Sequence, residues 1–432
     1  MTNLQNPDTA TKKETDENFI NKIEKQISKS QFELIEDYLS ENYDFRYNEI
    51  SNEVESRKKP EMEFRQLNEN NIYRELQRGN YKISQANLAV ILRSDFVETY
   101  NPFKEYFQNL PEWDKETDHI EALANYVKAT DQTRFNYQFK KMLVRVVACA
   151  LIDQVFNKQA FILVGVGEKN QNSGKSTFSR FLCPPTLEDY ITEVFSPDKD
   201  GQISLSENLF INLDELASLS KYEINQLKSS FSKDKVKIRR PFEKKATTSP
   251  RRASFIGSTN KAEFLTDETG SVRWLCFEII EIDWDYKTKI NIDSVWAQAY
   301  FLYKENFKYN LSFDDIKTND QANRKFQKQT PEMELISAKY EPATALNHDK
   351  FITPFELSNI LHGENSTNYK FTSENVGKAL VQLGFERAQK RINGSYPTSG
   401  YYIKYKTDSL NTLNIPTTLT TIELSDINDL PF

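Results

Sequence analysis

Phe161-Ile-Leu-Val-Gly-Val-Gly-Glu-Lys-Asn-Gln-Asn-Ser-Gly-Lys-Ser-Thr177 is the stretch whose reading decides the fold. A short apolar run ends in a glycine-containing loop. Gly174-Lys-Ser-Thr177 then leads into Phe178-Ser-Arg-Phe-Leu182, which reads as a helix. Strand, loop and helix in that order suit the phosphate tail of a nucleotide, because backbone N–H groups and the positive end of the helix face the anion. Lys175 adds a point charge for the β- and γ-phosphates, and the Ser176 hydroxyl can ligate Mg²⁺. Gly167, Ser173, Gly174, Lys175, Ser176 and Thr177 are therefore the expected nucleotide-binding residues, with ATP and Mg²⁺ as cofactors. The spacing departs from G-x-x-x-x-G-K-[ST]: Lys169 stands where the first glycine belongs, and Gly167 fills that role only in a loop two residues longer.

Further strands end in polar groups. Leu209-Phe-Ile-Asn-Leu213 runs into Asp214-Glu215. Two carboxylates closing a buried parallel strand make sense where its tip lies at a site. Asp214 would hold Mg²⁺ through water, and Glu215 would polarise an attacking water. Ala253-Ser-Phe-Ile-Gly-Ser-Thr-Asn260 is the next strand, and Asn260 could bond that water or the γ-phosphate. Arg273 stands at the start of a third apolar strand, Leu275-Cys-Phe-Glu-Ile-Ile280, where an arginine can reach a neighbouring subunit's γ-phosphate.

These strand ends, in this order, resemble the ATPase core of the virulence-associated E family, which is similar to superfamily 3 and poxvirus-type primase-helicases. The resemblance extends upstream, through Tyr38-Leu39, Asn42-Tyr-Asp-Phe-Arg-Tyr-Asn48, Leu92-Arg-Ser-Asp-Phe96, Tyr100-Asn-Pro-Phe103, Leu110-Pro-Glu-Trp-Asp114 and Thr117-Asp-His-Ile120. Arg251-Arg-Ala-Ser-Phe-Ile-Gly-Ser-Thr-Asn260 is especially family-like, and the resemblance covers roughly residues 30–280. It implies an α/β P-loop NTPase core of the AAA+-like, superfamily 3 helicase type. It also implies a ring, hexameric by that likeness, with ATP between subunits and Arg273 supplied by the neighbour. Two departures stand out: the longer phosphate loop, and a single arginine in Gly270-Ser-Val-Arg273 where relatives often carry two adjacent basic residues.

The net charge of −7 argues against a generic nucleic-acid binder, but the distribution does not. Between Lys233 and Arg252 lie Lys233, Lys235, Lys237, Arg239, Arg240, Lys244, Lys245, Arg251 and Arg252, opposed by Asp234 and Glu243, a net of +7. Lys233-Asp-Lys-Val-Lys-Ile-Arg-Arg240 alternates as a strand with one basic face would. By the resemblance, a hairpin here projects into a central channel and contacts DNA, most simply a single strand. The alternative is a solvated charged face.

The chain is long enough for two or three domains. Residues 1–18 are expected to be disordered and 19–103 to form a mainly helical domain around a hairpin. A helical lead-in covers 104–155, the ATPase core 156–285 and connecting helices 286–345. Residues 346–406 read as a small α+β, winged-helix-like module or an unrelated small helical domain. Thr353-Pro354 signals a helix start, and Lys378, Arg387, Lys390 and Arg391 would suit phosphate contact. Residues 407–432 form an acidic tail ending Glu423-Leu-Ser-Asp-Ile-Asn-Asp-Leu-Pro-Phe432, which resembles the tip of bacterial single-strand-binding proteins. Asp426, Asp429, Pro431 and Phe432 would dock it on a replication partner or on the protein itself. No segment approaches the roughly 20 apolar residues that span a bilayer. Cys149, Cys183 and Cys276 form no C-x-x-C pair, so disulfides or zinc are not expected, and a cytoplasmic location is.

The expected function is an ATP-dependent DNA helicase or translocase acting in replication of a phage, plasmid or genomic island. The rivals are an ATP-gated DNA-binding switch that does not unwind, and a non-hydrolysing scaffold that works through its acidic tail.

Overall fold

The computed structural model describes residues 29–165, 173–193, 195–196, 198–239, 245–265, 272–364, 369–391 and 396–406. Residues 1–18, Gly167, Arg240, Lys244, and the tail with Asp426, Asp429, Pro431 and Phe432 lie outside the described residues. The chain divides into two compact units, Met1–Asn260 with Phe277–Asn310, and Lys261–Cys276 with Leu311–Phe432.

A reciprocal cap between Ser30 and Glu33 starts α1 (Gln31–Asn42). The alternating sequence that follows folds as an antiparallel hairpin of β1 (Tyr43–Asn48) and β2 (Glu53–Lys58). β3 (Arg65–Gln66) extends it on the β2 side. α2 (Glu69–Arg78) and α3 (Gln85–Leu92) share one apolar cluster with α1, built on Ile35, Leu39, Ile72, Leu76, Leu88 and Ile91. β4 (Glu98–Tyr100) then pairs in parallel with β1. Buried Asn48, at the end of β1, donates to Glu55 Oε1 (2.8 Å) and to the Tyr190 hydroxyl (2.7 Å), which ties this sheet to the next layer.

The helices α4 (Pro102–Asn109) and α5 (His119–Ala124) and the edge strand β5 (Val127–Ala129) lead to α6 (Gln132–Leu151), capped by Asp131. Phe135 and Phe139 of α6 both meet Phe161, with ring centroids 5.7 and 5.9 Å apart, and this fixes α6 on β6 (Ala160–Gly165). β6 is buried at every position, as a strand covered on both faces must be. Along the chain come α7 (Lys175–Phe181), β7 (Ile191–Thr192), α8 (Lys199–Glu207), β8 (Phe210–Leu213) and α9 (Lys221–Phe231). The hairpin strands β9 (Lys235–Ile238) and β10 (Thr247–Pro250) follow, then β11 (Ser254–Thr259) and β12 (Trp274–Ile282). The six-stranded sheet has the order β5-β12-β6-β11-β8-β7. β11 runs parallel to β6 and β8, and β7 parallel to β8, so the carboxyl ends of these strands share one edge.

Residues 286–345, expected as connecting helices, are mainly helical and are divided between the two units. After α10 (Tyr286–Lys289), α11 (Ile292–Lys304) buries Val295 and Trp296 in the first unit, where Trp296 Nε1 donates to the Leu182 carbonyl (3.0 Å). From Leu311 the chain belongs to the second unit, through α12 (Phe313–Asn323) and α13 (Pro331–Lys339). β13 (Tyr340–Pro342), β14 (Lys350–Ile352), α14 (Pro354–Glu364), α15 (Ser373–Gln382), β15 (Arg387–Arg391) and β16 (Pro397–Tyr405) complete it, with β16 pairing with each of the other three strands. Thr353 opens α14 by accepting from Glu356 N (3.2 Å) while Glu356 accepts from Thr353 N (2.9 Å), and Pro354 sits at the first turn, where its missing N–H costs nothing.

Glu75 on α2 carries a charge, held against α1 and the N-terminal hairpin, that should be visible in stability. Glu75 accepts from Tyr38 (2.8 Å), Tyr43 (2.6 Å) and Lys58 (2.8 Å). Burial acts to raise its carboxyl, but these three donors outweigh that and pull it down to about 2. A depressed carboxyl stabilises the fold above its unfolded value near 4.5, and that stability is lost as pH falls toward 2. Because Glu75 is 32% exposed, solvent screening reduces the effect to about 1 kcal/mol. Glu75→Gln should cost that amount in urea melts at pH 7, and the two proteins should converge between pH 4.5 and 2.

Candidate active site

Gly165, Leu213 and Thr259 close three parallel neighbouring strands, with Thr259 opposite Val164 and Gly257 opposite Leu213. The polar residues that follow each strand therefore meet above one edge of the sheet, where open α/β sheets bind ligands. A cavity of about 290 Å³ lies there and is lined by Ser173, Gly174, Lys175, Ser176, Thr177, Asp214, Glu215 and Asn260. All eight were singled out in the sequence.

The loop enters α7 through Gly174 at φ 81°, a left-handed conformation that disfavours any side chain. A Cβ there would also lie 2.7 Å from a Trp284 ring carbon. Lys175 is 5% exposed, and its ammonium donates to Ser173 Oγ at 2.6 Å. Desolvation lowers its pKa, against the pull of Asp214.

Asp214 is the hub. Its Oδ1 accepts from Ser176 Oγ (2.7 Å), Ser258 Oγ (2.7 Å) and the Glu215 N–H (3.1 Å). Burial acts to raise the carboxyl. The two hydroxyls, that N–H and the charge of Arg180 together outweigh it and hold Asp214 below the usual carboxylate range. Glu215 follows with φ 52° and ψ 44°. A non-glycine residue in that region carries strain of about 1 kcal/mol or more, and Glu215 is exposed where it lines the cavity. Ser176 and Asp214 form a pair of hard oxygen donors on adjacent elements, a donor set that fits Mg²⁺.

Three lining residues were missed in the sequence: Arg180, Ser258 and Thr259. Ser258 had a signal, since a hydroxyl is unusual in a wholly buried strand unless it has a partner. Arg180 lies one helical turn beyond Ser176 and makes a bidentate ion pair with Glu193, which also accepts from Asn212 (3.2 Å).

The basic run divides in two. Lys235, Lys237, Arg239 and Lys245 are exposed on or beside the β9–β10 hairpin, Lys233 is half-buried, and Val236 and Ile238 point inward. Arg251 and Arg252, expected to contact DNA, are instead internal. Arg251 is 1% exposed and donates to the carbonyls of Phe231 (2.9 Å) and Asn157 (2.6 Å). Arg252 donates to the Ala150 carbonyl (2.8 Å) and pairs with Asp153 (2.7 Å). They precede β11, so they brace the end of the strand opposite the cavity, where backbone carbonyls need donors. Arg273 belongs to the second unit and is half-buried at the start of β12.

A larger cavity, of about 1100 Å³, lies near Asn48, Tyr100, Tyr190 and Asp293. Glu53, Glu55, Glu105, Asp189, Glu207 and Asp293 outnumber Arg46 and Arg65 on its walls, so it repels phosphate rather than gathering it. Among the described residues, no helix is long and apolar enough to cross a membrane.

A buried strand followed by a helix whose Ser176 bonds the aspartate beyond β8 belongs to a mixed α/β domain built on a parallel sheet. The chain belongs to the virulence-associated protein E-like domain family, which it matches over residues 107–329, just over half of its length. Three solved structures of the NrS-1 C-terminal region are similar to it at 12–13% identity, with TM-scores of 0.44–0.49, covering 85–88% of this chain and 98–100% of those chains. No curated protein matches it.

Two substitutions separate site from scaffold. Ser258→Ala removes one donor from Asp214 and should raise its carboxyl toward the usual carboxylate range in an NMR titration, since a hydrogen bond to a charged group contributes about 1.5 kcal/mol. Arg251→Ala leaves buried carbonyls without donors and should lower unfolding stability by about 3 kcal/mol in urea melts.

Proposed function

We propose that the protein is an ATP-driven motor on DNA, a helicase or translocase of the superfamily 3 type serving replication of a phage, plasmid or genomic island. One observation carries the reading: residues from three parallel strand ends, chosen in the sequence for complementary roles in phosphoryl transfer, line one cavity. Lys175 would neutralise the phosphate tail, with Ser173, Gly174 and Thr177 around it. Ser176 directly, and Asp214 through water, would hold Mg²⁺, which supplies charge neutralisation of the phosphates when bound. Glu215 would orient and deprotonate the attacking water, and Asn260 would bond that water or the γ-phosphate. Arg273 of an adjacent copy would complete the site in a ring, taken as hexameric.

Lys235, Lys237, Arg239 and Lys245 give the hairpin an exposed basic face suited to a single strand's phosphates. Each phosphate contact would steepen the salt dependence of binding. The C-terminal unit, with α14, α15 and the β15–β16 hairpin, is taken as a winged-helix-like accessory module, and the acidic tail as a docking segment for a partner or for the protein itself.

ATP hydrolysis with and without single-stranded DNA tests the motor. Wild type should turn over faster with DNA. Lys175→Ala should lose nucleotide binding. Glu215→Gln should bind ATP but hydrolyse it about 100-fold more slowly or worse. Nucleotide binding with no turnover in the wild type would replace the motor with an ATP-gated switch or a scaffold.

A further inference from the structure

Trp284 follows β12 by two residues and is 45% exposed. An isolated exposed aromatic is ordinary, but this one has a fixed place beside the phosphate site. Its neighbour Tyr286 is fully buried, with ring edges against Phe178 (5.3 Å) and Phe181 (4.8 Å) of α7. The segment carrying Trp284 is thus bolted to the helix that the phosphate loop enters.

The indole rests on the last glycine of that loop. A Cβ on Gly174 would lie 2.7, 2.9 and 3.2 Å from Cζ2, Cη2 and Cε2 of Trp284. Near-equal distances to three successive ring atoms mean that the glycine meets the flat of the ring rather than its rim. Gly174 therefore has two reasons to lack a side chain, its left-handed φ and this ring. The ammonium of Lys287 stands 4.4 Å from the indole centroid, so a base that stacks on this ring takes the place of a cation over its π-face.

We propose that Trp284 is the platform on which the base of the nucleotide stacks. This rests on the nucleotide reading of the cavity. A triphosphate seated between Gly174, Lys175 and Ser176 leaves its ribose and base to emerge beside Gly174, where, among the described residues, Trp284 offers a large exposed aromatic surface. Stacking uses the π-face that every base has, so it selects by ring area and discriminates little between adenine and guanine. Purine nucleotides should bind better than pyrimidine nucleotides, with ATP and GTP close to each other.

The test compares binding of ADP, CDP and inorganic tripolyphosphate, each with Mg²⁺, to full-length wild type, Trp284→Ala and Trp284→Phe, by calorimetry. Trp284→Ala should weaken ADP about tenfold, affect CDP less and leave tripolyphosphate unchanged, and Trp284→Phe should recover most of the loss. Equal losses for ADP and tripolyphosphate would make Trp284 a wedge that shapes the loop. Unchanged ADP affinity, with or without weakened single-stranded DNA binding, would place the base elsewhere. Wild type that binds neither ADP nor tripolyphosphate would overturn the nucleotide reading itself, and this proposal with it.

Discussion

The parallel alignment of β6, β11 and β8 is the constraint on which the rest of the site depends. β8 and β11 are buried along their length and are followed by the carboxylates of Asp214 and Glu215 and the amide of Asn260. Such endings would be costly if scattered, because buried polar atoms need partners. Side by side, they satisfy one another. Ser176, in the first turn of α7, and Ser258, near the end of β11, donate to the same oxygen of Asp214, which stands just beyond β8. The carboxylate stays charged in a half-closed cavity because those donors are fixed by the sheet.

Much of this was legible in residue order. Buried strand, glycine loop, Lys175 and Ser176 read as one unit, and Asp214 and Asn260 stood out because polar groups closed apolar runs. The alternation from Tyr43 to Ser56 and the Thr353-Pro354 start are local signals, and both hold in the structure. What sequence could not give was pairing across distance. Ser258 is polar in an apolar strand, but only the β11–β8 register puts it on Asp214. Residues 286–345 read as connecting helices, and their apolar spacing is that of any amphipathic helix, so the bond of Trp296 to the Leu182 carbonyl was not visible in it.

The basic run shows the same limit most sharply. Counted along the chain it is one patch of positive charge. In space, alternation in β9 sends Lys235 and Lys237 outward, while Arg251 and Arg252 turn in to satisfy carbonyls at the closed end of the sheet. Burial pulls the Arg251 guanidinium down to about 10, which leaves it charged at neutral pH. That charge is spent on scaffold rather than display, and arginine suits the task because its planar fork serves several acceptors at once.

The short run from Tyr190 to Glu193 joins two parts of the first unit. At one end the Tyr190 hydroxyl receives the bond from Asn48 of the N-terminal sheet. At the other, Glu193 grips Arg180 on the phosphate-loop helix and accepts from Asn212 on the strand that delivers Asp214. Between them β7 is a two-residue edge strand, pinned to β8 on one side only. The segment is built as a tie rod: three peptide units separate a bond to the N-terminal sheet from an ion pair to the helix that carries Lys175 and Ser176.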